Sequence, residues 1–545
     1  MFSSPQGLAA LLKEGGRHFT GIDEATLKNI QACQSLATIT KTSLGPNSMN
    51  KLIISHIDKH YVTSDAATMV NELEVVHPAA KLVVMASKMQ EEEYGDGTNL
   101  TVVMAGELLI MAENLLKQGL HTSDVIKGYE MAIKKALQIL EGCVCWSVKD
   151  PTIVEELRKG VRTSLSSKQL GIEDQLAQLV AEAAVKAMPR SVSDFNVDNI
   201  RVCKLQGGSL SDSHVISGMV HGRDATGSVK HKQGELKVCV LSCGIEFTGT
   251  ETKGTVLLHN AEELLNFTKK EEQKMEETIR AVRDAGVEVI VSGGNISDIA
   301  QHFCNKYDIL TVKVQSKFEL RRLCRTLGAA AMVRLGAPLP DELGTAEYVS
   351  VEEIGSSKVT VIRASGSRVA TIVLRGATPN VLDEVERAID DAVNCVRSIT
   401  RDRRFVPGAG ATEVEIAHQL QQFGATVSGL DQYAVLKFGE ALEAVPRILS
   451  DNAGQDATNV LTALYAAHQE GRKNTGVNVE GGAGSGAEAT IDAVEHGIFD
   501  HHDTKAWAMK LATDAAITVL RVDQIIMAKP AGGPKPGEQG PPDEE

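Results

Sequence analysis

The chain has 545 residues, with 71 acidic against 56 basic side chains for a formal charge of −15, and it is 43% hydrophobic and 23% charged. That length exceeds a single core, and that balance excludes wholesale disorder. With 2 Trp, 7 Tyr and 11 Phe, it lacks both the aromatic platforms and the basic stripes that nucleic acids require.

No apolar run reaches the roughly 18 residues of a membrane span, and residues 1–16 lack a basic region followed by a continuous apolar one, so the expectation is a cytosolic protein. The 9 cysteines are scattered without a CxxC pair. They read as reduced, mostly buried small apolar residues.

Residues 22–140 show helical apolar spacing, broken by short turns. The first turn, Ser43-Leu44-Gly45-Pro46, precedes a predicted strand at 52–54. The next is Thr63-Ser64-Asp65-Ala66-Ala67, and the third, Gly95-Asp96-Gly97-Thr98, opens a long helix at 99–117 with Thr98 as an N-cap. Shorter helices follow at 153–163 and 172–187.

From about 202 the chain becomes β-rich. Strands are predicted at 238–241, 287–291 and 309–314, and a helix at 297–306 makes the last two a β-α-β crossover. Residues 261–285 alternate Glu and Lys at helical pair spacings and read as a solvated helix. A strand at 369–374 ends at Arg375-Gly376, and Thr378-Pro379 caps a helix running to about 398. Residues 411–520 are helical again apart from the glycine stretch 481–486, and 531–545 form a Gly/Pro-rich tail. The order helical, mixed, β-rich, mixed, helical is nearly a palindrome. Nested domains explain it, with the outer segments folding together around an inserted middle.

Two glycine turns could cradle phosphate, because backbone N–H groups can converge there without a Cβ and a helix N-terminus adds its positive end. Asp96 in the second turn could hold the Mg²⁺ that accompanies a nucleoside triphosphate. Asp-Gly is equally an ordinary turn dipeptide. No GxxxxGK[ST] or GxGxxG pattern is present. Asp391, in the predicted helix 381–396, lies roughly 120° from the centre of its apolar stripe and by itself reads as a solvated carboxylate. Asp65 alone reads as a turn stabiliser, and Lys168 either meets a phosphate or decorates a loop.

The order of the segments carries more. Ser43-Leu44-Gly45-Pro46, residues 63–68, Gly95-Asp96-Gly97-Thr98, residues 164–168, 386–392 and 407–413, Gln432-Tyr433, residues 452–454 and 520–523 resemble, in sequence and spacing, the signatures of the group II chaperonins, those of the eukaryotic cytosol above all. The resemblance covers essentially the whole chain. It implies a multi-domain α/β chaperonin fold: a helical equatorial domain from 1–143 and 398–530, a hinge-like intermediate domain from 144–212 and 365–397, and an inserted β-rich apical substrate-binding domain at 213–364. A helical protrusion around 250–274 would act as a lid, and 531–545 would be a disordered tail.

By the same resemblance, Leu44 and Gly45 sit against a nucleotide, Asp96 ligates Mg²⁺, and Gly97, Thr98, Asn99 and Leu100 surround the phosphates. Ser166, Ser167 and Lys168 approach from the intermediate domain, Lys168 reading the γ-phosphate. Gly410 and Asp492 line the ribose and adenine side, and Asp391 with Asp65 serves hydrolysis. The implied cofactors are ATP/ADP and Mg²⁺, with K⁺ as an accompanying ion. The implied partners are seven paralogous subunits in two stacked eight-membered rings and unfolded clients including actin and tubulin, with no nucleic acid and no membrane. ATP hydrolysis would drive lid closure and folding of the enclosed client.

The chain departs from the family pattern at Ser48, Asn50, Ser64, Ala66, Asn99 and Ala409. Two other readings compete. One is a metabolic enzyme binding a phosphorylated ligand on the central β-α-β unit, although Ser292-Gly293-Gly294-Asn295 lacks the expected fingerprint. The other is a non-catalytic scaffold.

Overall fold

The computed structural model describes residues 22–55, 58, 60–246, 261–355, 357–364, 366–481 and 489–526. The tail 531–545, nearly all of the glycine stretch 481–486 and the first part of the expected protrusion, 250–260, lie outside them.

The chain enters through α1 (Ile22–Lys41), a hairpin of β1 (Lys51–Ile54) and β2 (His60–Thr63), and α2 (Ala66–Glu72). Then come α3 (Pro78–Tyr94), α4 (Thr98–Lys117) and α5 (Thr122–Gly142). α3 starts with Pro at its first turn and stops at Gly95, whose φ of 74° closes the helix in the left-handed region. α4 is long and apolar enough by composition to cross a membrane. Its apolar residues are spent inside the protein: Val102, Val103, Met104, Leu108, Leu109 and Leu115 are all buried. The N-cap of α4 is Gly97, φ 80°, and Thr98 is the first helical residue.

β3 (Trp146–Ser147), α6 (Val154–Ser166) and α7 (Glu173–Ala187) follow, with β4 (Ile200–Gln206) and β5 (His214–Ser217). The β-rich middle comprises β6 (Met219–His221), β7 (His231–Leu241), α8 (Ala261–Asp284), β8 (Val287–Ser292), α9 (Asp298–Lys306), β9 (Leu310–Lys313), α10 (Lys317–Leu327), β10 (Ala331–Met332), β11 (Gly344–Ile354) and β12 (Ser357–Arg363). Its sheet runs β6-β12-β11-β7-β8-β9 with β10 beside β7. β8 and β9 are parallel across α9, as the sequence predicts. β7 is longer than expected because its first half, Lys232 to Glu235, is polar and hides from an apolar count. After β8, Gly294 packs on backbone: a Cβ there would stand 2.5 Å from the Gly244 nitrogen. The turn that a β-α-β nucleotide enzyme would open to phosphate is closed by its neighbour.

The chain returns through β13 (Ala370–Gly376), which pairs with β4 and β5, and α11 (Pro379–Arg401), one turn longer than predicted. Thr378 makes no side-chain capping bond; Pro379 alone marks the start. β14 (Arg404–Pro407), α12 (Ala411–Thr426), α13 (Asp431–Leu442), α14 (Ala444–Asn452), α15 (Ala457–Gln469) and α16 (His502–Leu520) close the chain. Three-residue strands interrupt this expected helical stretch: β15 (Thr475–Val477), β16 (Thr490–Asp492) and β17 (Phe499–His501). They are too short to show a period of two.

Apolar burial joins distant segments. One core packs Ile30, Val102, Leu108 and Tyr129 with Ile416, Phe438, Met509 and Val519. A second joins Leu157 and Val180 with Ile372, Ile389, Val396, Phe405 and Phe499. The β-rich middle has its own, on one sheet face Val238, Val289, Leu310 and Leu323, on the other Cys239, Ile279 and Ile290. β14 lies between β17 and β3, so one small sheet ties residues near 146, 405 and 500.

Close helix crossings in the first core depend on missing side chains. A Cβ on Gly128 of α5 would fall 2.3 Å from Ala434 Cβ and 2.9 Å from the Asp431 carbonyl of α13. Gly128→Ala is expected to cost about 1–3 kcal/mol through overpacking. Faster amide exchange in α5 and α13, with α8 unchanged, checks it; unchanged protection in α5 would refute the crossing.

Candidate functional site

A cavity of about 300 Å³ opens where the first two cores meet. Ser43, Leu44 and Gly45 line it from the α1–β1 turn, Ser64 and Asp65 from the start of α2, and Asp96 to Leu100 from the start of α4. Ser166, Ser167 and Lys168 enter from the end of α6, Ala409, Gly410 and Glu413 from the start of α12, and Phe499, Asp500 and Lys505 from β17 and α16.

Besides the short α2, two long helices begin here. α4, 20 residues long, starts behind Gly97, and α12, 16 residues long, starts behind Gly410 at φ 78°. The first N–H groups of each have no intrahelical acceptor, and the helix dipole adds positive potential. The Gly97 N–H donates to Asp96 Oδ1 at 2.7 Å. Gln90 Nε2 braces the turn from behind, donating to the carbonyls of Asp96 (2.9 Å) and Thr504 (3.2 Å). A Cβ on Gly97 would stand 3.2 Å from that Gln90 nitrogen. At Gly45, φ 88°, a Cβ would lie 2.4 Å from Leu449 Cδ2. Ala409 takes φ 54°, a conformation costing a non-glycine residue about 1 kcal/mol.

The lining also holds polar atoms with nothing to bind. Asn99 Nδ2 and Oδ1, Ser164 Oγ and Glu413 Oε2 are buried without a hydrogen-bond partner among the described residues. Buried polar atoms are otherwise nearly always paired. The surplus fits a ligand rich in hydrogen-bonding groups.

At one side of the cavity, Lys168 is held by two carboxylates. Its Nζ lies 3.2 Å from Asp65 Oδ1 and forms an ion pair with Asp391 Oδ2. Asp65 is also the N-cap of α2: its Oδ2 accepts from Thr68 N (3.0 Å) and Thr68 Oγ1 (2.7 Å). Burial pushes the Asp65 carboxyl up, but the Lys168 ammonium and the Thr68 bonds outweigh it and hold it at about 2.

The expectation of a solvated Asp391 is therefore corrected. Its side chain is 16% exposed. A helical wheel measures distance from one apolar stripe, but α11 is enclosed on more than one side. The stripe packs on α6 and α7, while the segment after α6 covers the neighbouring shoulder with Lys168.

Leu44, Gly45, Asp65, Asp96, Gly97, Thr98, Asn99, Leu100, Ser166, Ser167, Lys168 and Gly410 thus line one cavity. Asp391 reaches it through Lys168 and is not itself in the lining. Asp492 is not in the lining either; its Oδ1 accepts from the N–H groups of Val494 (2.9 Å) and Glu495 (3.2 Å) and closes a turn after β16. Sequence reasoning did not single out Glu413, Asp500 and Lys505. A lone lysine on a helix reads as solvated, and its partners lie off that helix, Asp500 five residues earlier on β17 and Glu413 on α12. Asp402, His502 and Asp503 also converge within 4.8 Å, but Arg404 binds both Asp402 oxygens (2.9–3.1 Å) and already supplies the counter-charge.

The arrangement can take an anion chain against two helix ends, place a divalent cation at Asp96, and set a lysine and two carboxylates at the far end of that chain.

The model of the TCP-1/cpn60 chaperonin family matches residues 36–530. The T-complex protein 1 subunit theta of Homo sapiens is 51% identical over 532 residues, 97% of this chain and 96% of that one. The protein of the same name from Arabidopsis thaliana is 50% identical over 539 residues, 98% and 97% of the two chains, and that from Dictyostelium discoideum 46% identical over 539 residues, 98% and 99%.

Because the Asp65 carboxyl titrates near 2 when folded, against 3.8 for a free side chain, its contribution is full above about pH 4 and lost as pH falls through about 2. It amounts to about 2 kcal/mol. Asp65→Asn is expected to flatten the acid limb of stability between pH 4 and 2, followed as the urea midpoint of Trp fluorescence. Parallel pH curves for the two proteins would show that Asp65 carries no such linkage.

Proposed function

The chain belongs to the TCP-1/cpn60 chaperonin family, and from that premise we propose that it is an ATP-hydrolysing subunit whose cavity holds ATP or ADP with Mg²⁺. As a member of that family it is a protein-folding chaperone. The reading places an equatorial domain on the first core, an intermediate domain on the second and an apical, client-binding domain on the third.

The cavity fits the nucleotide and its metal. The unpaired atoms of Asn99 and Ser164, the glycines at the two helix starts and the carboxylate of Asp96 are the groups a Mg²⁺-bound phosphate chain would engage. Bound Mg²⁺ would neutralise phosphate oxygens and make the terminal phosphorus easier to attack. Thr98 and Gly410 would supply N–H groups, Gly97 the open backbone turn that holds Asp96, Asp96 the metal ligand, and Leu44, Gly45 and Leu100 the walls.

The single observation that carries the reading is Lys168 between Asp65 and Asp391, two carboxylates from segments built into different cores. A terminal phosphate arriving beside Lys168 competes for its ammonium. Asp391, released from the pair, can then orient a water and accept its proton, with Asp65 holding Lys168 in place; phosphoryl transfer needs little more than such positioning. Because Asp391 rides on α11, the set is complete only when that segment is closed onto the cavity, which couples nucleotide state to movement. K⁺ would add to the counter-charge against the phosphates.

The relatives' name, T-complex protein 1 subunit theta, is that of a subunit of a larger complex. For this chain the proposal is a cytosolic hetero-oligomer of two stacked eight-membered rings, with seven paralogous subunits and unfolded clients such as actin and tubulin. Sixteen chains of 58.3 kDa in closed rings make a particle of about 930 kDa. Native mass measurement on cell extract should find this chain in such a particle; a stable monomer would overturn the assembly.

For the chemistry, Asp391→Ala is expected to keep nucleotide binding at this subunit while slowing its hydrolysis by about 10² or more. Counting trapped ATP and ADP on the subunit decides it: unchanged turnover removes Asp391 from the reaction. Lys168→Ala should reduce the preference for ATP over ADP by about tenfold, and an equal affinity ratio in both proteins would remove Lys168 from phosphate reading.

A further inference from the structure

Lys505 of α16 is 5% exposed. Its Nζ lies 2.7 Å from Glu413 Oε1, in the first turn of α12, and 2.7 Å from Asp500 Oδ2 on β17. All three side chains line the cavity. One ammonium faces two carboxylates, so the trio keeps one negative charge in excess. Part of that excess rests on Glu413 Oε2, buried without a partner among the described residues. Burial alone would strip the lysine of its proton, and the two carboxylates reverse that, keeping it charged.

The trio sits beneath both helix starts. Glu413 belongs to the first turn behind Gly410. Thr504, next to Lys505, lies under the other start: its Cγ2 would be 3.3 Å from a Cβ on Gly97, and its carbonyl accepts from the same Gln90 nitrogen that holds Asp96. An anion drawn to the two helix ends therefore meets the field of this trio from below. Without Lys505 that floor would be two uncompensated carboxylates in a water-poor setting, where charges act over longer range than in solvent.

We propose that Lys505 is a specificity-determining residue for this site: the counter-charge beneath the phosphate cradle, which decides how strongly a longer phosphate chain is preferred over a shorter one. It acts through its field, not by touching the ligand, and in this it differs from Lys168. The inference rests on the nucleotide reading above. Each added phosphate adds negative charge, so a change in floor charge moves ATP affinity more than ADP affinity.

The test uses the assembled particle carrying a tagged copy of this subunit and photo-crosslinking of 8-azido-ATP and 8-azido-ADP, quantified on that subunit. Lys505→Met is expected to weaken 8-azido-ATP labelling about tenfold and 8-azido-ADP labelling distinctly less. Glu413→Gln, which removes the excess charge, should strengthen labelling by 8-azido-ATP. Lys505→Met with Glu413→Gln restores the original net charge without the ion pair and should return the ATP-to-ADP ratio to that of the parent. If Lys505 were only structural, all three variants would weaken both probes alike, and that result overturns the proposal. Should Lys505→Met fail to assemble, Glu413→Gln decides, and unchanged or weaker 8-azido-ATP labelling refutes the field argument. A parent subunit that takes no label, or label that ATP does not compete away, overturns the nucleotide reading itself; competed parent labelling with an invariant ratio across the variants overturns only the role of Lys505.

Discussion

A largely buried ammonium cannot stay between two carboxylates unless the elements carrying them are held at fixed distance. Lys168 imposes that condition on Asp65, at the head of a short helix in the first core, and on Asp391, midway along the longest helix of the second. Separating the cores would leave buried charges unpaired, at a cost greater than the pairing contributes. The structure shows the lysine bound to both carboxylates; the proposed function adds a second arrangement, with a competing anion on the lysine. A ligand that reaches Lys168 can shift the balance between them.

The rest of the cavity serves the same end. A chain with a net charge of −15 must hold an anion by local means. Here those means are the starts of α4 and α12, left open by Gly97 and Gly410, together with two buried lysines at different sides of the site. Lys168 can touch the ligand. Lys505, tied to Glu413 and Asp500, is placed to act through the low-dielectric floor. Near the ligand the placement of individual charges matters more than the global sum, because the interior screens poorly and short distances dominate.

Much of this was legible in the residues, for reasons that differ from element to element. α4, around Val102 and Leu108, shows itself as a helix because its apolar residues recur over about five turns and most of them are buried. The crossover β8-α9-β9 shows itself because parallel strands buried on both faces read as unbroken apolar runs. β15, β16 and β17 were not legible, since three residues do not display a period. At the site, glycines announce backbone conformation, so Gly45, Gly97 and Gly410 could be marked in advance. The cap of α4 fell one residue earlier than expected, on Gly97 in place of Thr98, because either can end a turn. Carboxylates announce nothing alone: Asp391 and Asp492 look alike on paper, yet one meets a lysine and the other closes a turn.

By itself the sequence determined most of the elements, the glycine turns and, through the ordered signatures, the family, and the order of its elements suggested nesting. Those properties are local or additive along the chain, set by propensity, periodicity and spacing. Which carboxylate meets Lys168, which polar atoms of Asn99 and Glu413 go unpaired, and that Lys505 lies beneath the site were decided only by tertiary structure. They depend on residues far apart in the chain, 223 positions for Lys168 and Asp391 and 414 for Gln90 and Thr504. The sign of each contribution follows from what is packed around the charge.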